Sequence, residues 1–114
     1  MTWAKLDDQF PEHPRISELS DKAFRTHVTG LCIAARRLTD GHLNAPDVRV
    51  ILALARSRPK HLEELVGTGV WTRNGNGGYV IRDYLDYNPS AKQVKDRRKA
   101  EADRLKAYRE RSTR

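Results

Sequence analysis

The sequence contains a single cysteine, Cys32, few aromatic residues and no long hydrophobic run. One thiol cannot form a disulfide within the chain, which is typical of proteins from a reducing compartment. The longest apolar stretches, such as residues 50–55, are far too short to span a bilayer. The first twenty residues lack the apolar segment of a signal peptide. We therefore expect a cytoplasmic protein that has no membrane partner.

The sequence also lacks any spacing that indicates catalysis or metal binding. None of the histidines forms a His-x-x-x-His pair, the spacing that places two ligands on one helix face. Cys32 lies on the apolar face of a predicted helix, where a buried and unreactive thiol is expected. No nucleophile, base and orienting group can be assigned from spacing. We expect a protein that is not an enzyme and holds no cofactor.

Positive charge is concentrated at one end of the chain. The formal net charge is +7. Residues 88–114 hold ten Lys and Arg against four acids, a net +6, and residues 1–87 carry the remaining +1. A sequence pI near 9.9 favours polyanionic partners, above all nucleic acid.

Three amphipathic helices are predicted in the first two thirds of the chain. Ser20 is a good N-cap for the first, which continues with helical apolar spacing to Leu38. Pro46 stands near the first position of the second helix. The break at Ser57-Arg58-Pro59 is short and starts a third helix, which ends at Gly67 or Gly69.

Two Asn-Gly pairs predict a β-hairpin after the third helix. Residues 70–73 and 79–82 are β-formers, and Asn and Gly between them tolerate the positive φ of a tight turn. Two further short strands are expected, at Trp3–Leu6 and His42–Leu43. Aromatic residues are expected to anchor the hairpin and the arms on the helices. These core aromatics are Trp3, Phe10, Trp71, Tyr79, Tyr84 and Tyr87.

The basic end of the chain is predicted to be a second, helical region. Ser90 and Gln93 form a capping-box pattern, and a long helix follows over residues 91–111. We divide the chain into a domain at 1–89 and a basic tail at 90–114. The order helix, strand, helix, helix, hairpin in the first region is that of a winged helix-turn-helix domain, an α+β fold that is mainly α.

Several segments also resemble a known group of proteins. They are MTWAKLDDQF at 1–10, HP at 13–14, LSDKA at 19–23, LTDG at 38–41, the segment 65–71, GYVIRDY at 78–84, YNPS at 87–90 and the charged tail. The chain is similar to small winged-helix DNA-binding proteins of actinobacterial phages and prophages, which are related in layout to the N-terminal domain of phage replisome organisers. The resemblance implies DNA binding in replication initiation or transcription regulation, inside a bacterial host cell. Two departures are Tyr84, where a tryptophan is expected, and the acidic pair Glu63-Glu64 in the third helix.

Three groups of residues are predicted to contact double-stranded DNA. In winged-helix domains the third helix normally enters the major groove, and its exposed positions here are expected to include Glu64 as well as the bases. The hairpin tip normally reaches the flanking backbone. Basic residues of the tail are expected to bind phosphates, with 97–99 as the densest cluster. The predicted contacts are Arg58, Lys60 and His61 in the third helix, Arg73, Asn74 and Asn76 in the hairpin, and Lys92, Lys95, Arg97, Arg98 and Lys99 in the tail.

Two other functions stay open on the sequence. A winged helix can be a protein-interaction module, and a nearly neutral domain with an acidic third helix suits that function. The tail would then bind a replication or transcription protein, or form a homodimer through Val94, Leu105 and Tyr108, which lie at spacings close to a heptad. The second alternative is RNA binding through the basic helix.

Overall fold

A computed structural model describes residues 3–82, 84–87 and 90–112. The protein is mainly helical, with one small antiparallel sheet. None of its helices in these ranges combines the length and apolarity that crossing a bilayer requires. The elements in chain order are a 3-10 turn (Phe10–Glu12), α1 (Pro14–Ser17), α2 (Asp21–Arg37), β1 (His42–Leu43), α3 (Ala45–Ala55), α4 (Pro59–Gly67), β2 (Trp71–Arg73), β3 (Tyr79–Ile81), α5 (Tyr84–Tyr87) and α6 (Ala91–Ser112).

The three predicted helices of the first region are confirmed as α2, α3 and α4. The Ser20 hydroxyl accepts the backbone N–H of Ala23 and begins α2. Asn44 and Asp47 form a reciprocal capping box at the start of α3, with Pro46 in its first turn. Both α2 and α3 end on a left-handed residue, Leu38 and Arg56 respectively. Local sequence signals thus account for the start of each long helix.

The short turn between α3 and α4 is held by α2. The Lys22 ammonium donates to the Arg56 carbonyl oxygen at 2.8 Å. The Thr26 hydroxyl is fully buried and lies 2.6 Å from the Ser57 hydroxyl. These contacts fix the turn between α3 and α4 against α2.

The predicted hairpin is confirmed, and β1 joins it to make three strands in the order β1-β3-β2. Both pairings are antiparallel, with Trp71 opposite Ile81 and Leu43 opposite Tyr79. Alternation along these short strands turns Leu43, Trp71 and Ile81 into the core.

Trp71 is the centre of the core and is fully buried. Its ring lies against α2 at Gly30, where an added Cβ would stand 2.6 Å from the Trp71 Cζ2 atom. The indole Nε1–H donates to Nδ1 of His27 at 2.9 Å. The Trp71 ring also packs beside Tyr79, and Phe10 stacks on His27, with centroids 5.9 and 5.7 Å apart respectively.

Some predictions about the core are wrong. Trp3 is 75% exposed, and residues 3–6 form no strand, because they pair with neither edge strand of the described sheet. Cys32 is exposed, since it lies on the outer side of α2. Trp71 and Tyr84 are buried as expected, while Phe10 and Tyr79 are partly buried. The side chain of Tyr87 lies outside the described part.

The predicted tail helix is confirmed as α6. The Ser90 hydroxyl accepts the N–H of Gln93, and the Gln93 side chain accepts the N–H of Ser90, as the capping-box pattern predicted. Asp40 accepts the N–H of Ala91 at 2.7 Å, and Val94 is buried on the body. From residue 95 to 111 every side chain is exposed. This projecting helix accounts for the elongated shape of 62 × 31 × 22 Å.

The buried His27 predicts a pH-dependent stability. Burial lowers the pKa of His27 from 6.5 to about 4, so the unfolded chain takes up a proton at higher pH than the folded one. Stability should therefore be complete above pH 6.5 and fall as the pH drops towards 4, by about 3 kcal/mol. Urea unfolding at both ends of this range measures the loss.

The variant His27→Gln is the control for this titration. Its carboxamide oxygen can still accept the Trp71 N–H but cannot take up a proton. Its loss of stability between pH 6.5 and 4 should be smaller than that of the wild type by about the same 3 kcal/mol. Equal losses in the two proteins would contradict a neutral, buried His27.

Candidate nucleic-acid interface

The N-terminus of α4 carries two of the predicted DNA-binding residues on the surface. Arg58 is the N-cap residue, in an extended conformation, and Pro59 occupies the first helical position. Arg58 and Lys60 are both exposed. Because the first N–H groups of a helix and these two cations all carry positive charge, this end of α4 is suited to an anion.

His61 was predicted to lie at the surface, but it is buried. It is 8% exposed, and its Nδ1 atom accepts the backbone N–H of Arg58 at 2.9 Å. The ring proton of a neutral His61 is therefore on Nε2. The side chain closes the first turn of α4 from the third helical position, where Glu or Gln ordinarily does so, and the prediction of exposure was wrong.

Glu64 holds two helices together. One carboxylate oxygen accepts the Ser20 backbone N–H and the other accepts the Ser20 hydroxyl, both at 2.7 Å. The backbone hydrogen bond, followed by the hydroxyl, holds the pKa of Glu64 below its ordinary value. Glu64 was predicted to be a free surface position of α4, whereas it completes the N-cap of α2. No local pattern reveals this pairing, because 44 residues separate the partners.

The second acid of α4, Glu63, forms an ion pair with Arg73 of β2. This hydrogen bond raises the pKa of Arg73 further above its ordinary value. Both side chains are more than half exposed, so the pair is held loosely and a phosphate can compete for the guanidinium. The structure thus brings the third predicted helix and the hairpin together, but it leaves Arg73 with a carboxylate neighbour.

The tip of the hairpin uses Asn74 to form its turn. The Asn74 side-chain oxygen accepts the backbone N–H groups of Asn76 and Gly78, at 3.0 and 3.2 Å. Gly75 and Gly77 take positive φ angles of 86° and 75°. The side chain of Asn76 remains exposed. Of the two predicted asparagines, only Asn76 keeps its whole side chain available to a ligand.

The tail cations separate into distinct lines along α6. Neighbouring residues on a helix point about 100° apart, so Arg97, Arg98 and Lys99 face three directions and do not form one patch. Steps of three and four residues join the bases on one side instead. We call this line the basic stripe; it consists of Lys95, Lys99, Lys106 and Arg109, with Arg98 on its flank.

The other sides of α6 differ in charge. One seven-residue line holds the acids Asp96, Asp103 and Glu110, and another holds three arginines. A third side begins at the buried Val94 and continues to Leu105 and Tyr108, which are 45% and 67% exposed. The three arginines are Arg97, Arg104 and Arg111. Arg104 forms an ion pair with Glu101 at 2.6 Å.

The predicted DNA-binding residues form two groups that are attached at opposite edges of the sheet. Arg58, Lys60 and Arg73 lie on α4 and on the edge strand β2, joined by the Glu63–Arg73 pair. The tail begins beside Asp40, just before the other edge strand, β1. The predicted DNA-binding residues are thus divided between a surface of the body, formed by α4 and β2, and the projecting helix α6.

The body and α6 also differ in electrostatic character. Within Ala91–Ser112 nine Lys and Arg stand against four acids, so α6 alone carries +5.

No protein-family model, curated protein or solved structure matches the chain. Among the described residues, no three His, Cys, Asp or Glu side chains converge as ligands for a metal ion. The described surface of α6 presents exposed Lys and Arg side chains that can bind anions.

Proposed function

We propose that the protein binds double-stranded DNA, with residues 1–89 as a winged helix-turn-helix domain and α6 as a helix that follows the phosphate backbone. In this proposal α4 is the helix that approaches the groove and the β2–β3 hairpin is the wing. The observation that supports it best is the projecting helix α6, which is exposed from residue 95 to 111 and has a net charge of +5. A long basic helix held away from the body is suited to a polyanion.

The basic stripe is long enough to lie beside several phosphates of a duplex. From Lys95 to Arg109 the helix rises about 21 Å, a length of duplex that holds about six phosphates on each strand. The four cations of the stripe share one side of α6, whereas three of the four acids of the helix lie on a neighbouring line. Release of counterions from those phosphates would supply the affinity.

The acids of α4 are engaged within the body. The Glu64 carboxylate accepts two hydrogen bonds from Ser20, and Glu63 forms an ion pair with Arg73. Arg58 and Lys60 at the start of α4 are left facing solvent. This arrangement is consistent with a helix whose N-terminal end approaches the duplex.

The biological role follows from the resemblance to phage proteins alone. We propose replication initiation or transcription regulation in the cytoplasm of a bacterial host. Both roles require a duplex-binding protein, and both permit a further replication or transcription protein as partner.

A charge-matched pair of variants tests the role of the basic stripe. The variant Lys95→Gln/Lys99→Gln/Lys106→Gln removes three charges from the stripe, and Arg97→Gln/Arg104→Gln/Arg111→Gln removes three from the arginine line. We expect the first to weaken binding to random duplex DNA at least about tenfold and to reduce the salt slope by about 3. We expect a smaller effect from the second, which has the same net charge. Fluorescence anisotropy over a salt series measures both quantities.

Equal losses in the two variants would show that α6 attracts DNA by net charge without a binding face. No binding by the wild type at low salt would contradict the proposal itself.

The exposed Leu105 and Tyr108 favour a second candidate, in which α6 pairs with a partner helix or a second copy of the chain. They continue the side of α6 that is buried at Val94. Light scattering of the wild type and of Leu105→Ser/Tyr108→Ser distinguishes the two, because a homodimer should dissociate in the variant while a monomeric DNA-binding helix should be unchanged.

A further inference from the structure

A cavity of about 400 Å³ lies between the N-terminal arm and the core. Its apolar lining comes from the arm, α1, α2 and the two hairpin strands with their flanking residues. The volume falls within the range of small-molecule sites, roughly 300–1,000 Å³. The apolar residues that line it include Phe10, Ile16, Leu31, Val70 and Ile81.

Two arginines converge at the mouth of this cavity. A Cβ added to Gly69 would lie 3.4 Å from the Arg82 Nη1 atom and 3.9 Å from the Arg15 Cζ atom, so both guanidinium groups approach the same point. Both residues line the cavity. Within the described ranges, neither side chain is paired with a carboxylate. Two like charges at one point repel each other, and a bound anion would relieve that repulsion.

His27 adds a hydrogen-bond donor inside the cavity. Its Nδ1 atom accepts the Trp71 N–H, so the neutral ring carries its own hydrogen on Nε2. The side chain is only 4% exposed and lines the cavity. A polar ligand atom that reached Nε2 could accept a hydrogen bond from it.

We infer that this cavity binds a small organic carboxylate with an apolar body, whose carboxylate meets Arg15 and Arg82 and whose body packs on Phe10 and Ile81. The lining also includes two acids, Asp7 and Glu12. It holds three bases, because Lys5 lines the cavity together with Arg15 and Arg82. The net charge of the lining is thus positive and favours an anion over a cation. This site is distinct from the proposed DNA-binding residues and does not depend on them.

The two tryptophans provide a direct test of the site in the full-length protein. Trp71 is buried and hydrogen-bonded to His27, whereas Trp3 is exposed, so their indole N–H signals should be resolved in an NMR spectrum. Phenylpropionate serves as the probe and phenylpropanol, which lacks the charge, as its matched control. We expect phenylpropionate to shift the Trp71 signal in a saturable way and to bind at least about tenfold more tightly than the alcohol.

Two double variants test the arginines. Arg15→Gln/Arg82→Gln should weaken phenylpropionate binding about tenfold or more, while Arg36→Gln/Arg49→Gln, with the same charge change on exposed faces of α2 and α3, should leave it unchanged. An unchanged Trp71 signal without ligand shows that each variant is folded. The inference is overturned if millimolar phenylpropionate leaves the Trp71 signal in place, if the alcohol binds equally well, or if the two variants bind the probe alike.

Discussion

Replacing Trp71 with alanine should destabilise the folded protein by about 4 kcal/mol, the cost of deleting a large buried aromatic side chain. The ring has no exposed surface, fills the space left by Gly30 and packs beside Tyr79. The variant also leaves His27 without its indole donor. Because domains of this size are stable by only about 5–15 kcal/mol, a substantial part of the total would be lost.

Trp3→Ala is the matched control for this prediction. The same side chain is removed, but Trp3 is 75% exposed, so its loss should change stability by less than about 0.5 kcal/mol. Urea unfolding followed by circular dichroism measures both variants. Similar midpoints for the two would mean that Trp71 is not the centre of the core.

Trp71→Phe separates packing from hydrogen bonding. The smaller ring keeps most of the buried apolar surface but cannot donate to His27. We expect an intermediate loss of about 1–3 kcal/mol, which combines the lost donor and a partly empty site.

Removing residues 97–114 should weaken binding to random duplex DNA about a hundredfold or more near physiological salt. The deletion removes eight bases and three acids, a net charge of +5, and most of the basic stripe. If about four phosphate contacts are lost, the slope of log affinity against log salt should fall by roughly 4. Anisotropy titrations over a range of salt concentrations measure both changes.

The truncated protein should remain folded. The contacts of α6 with the body, at Ala91 and Val94, precede the deletion, and the side chains removed are exposed where the structure describes them. An unchanged Trp71 indole signal would verify this. A folded truncated protein with undiminished affinity would contradict the role that we propose for α6. Any binding that remains would report the contribution of α4 and the hairpin.

The sequence predicted the elements whose signals are local. Ser20, Asn44 and Ser90 act through hydrogen bonds to residues three positions away, so the helix starts could be located without the structure. The Asn-Gly pairs likewise indicated the hairpin. The concentration of positive charge in the last quarter of the chain can be read directly from the sequence. The expectation of a polyanionic partner follows from it.

The assignment of exposed residues in α4 failed at two positions, one with a partner in the same helical turn and one with a partner 44 residues away. His61 and Glu64 look like surface positions by helical spacing, yet one caps its own helix and the other caps α2. The prediction for Trp3 was wrong in the opposite sense. A tryptophan is expected in the core, but Trp3 is exposed.

The amino-acid order therefore determines where helices and strands begin, how the hairpin turns and where the positive charge lies, because each depends on neighbours a few residues apart. Tertiary folding decides which charges remain available to a ligand. It pairs Glu63 with Arg73 and Glu64 with Ser20, and it brings Arg15 to Arg82 beside the cavity. The physical reason is that burial and electrostatic pairing depend on distances between atoms in space. For residues that are far apart in the sequence, these distances are fixed only when the chain has folded.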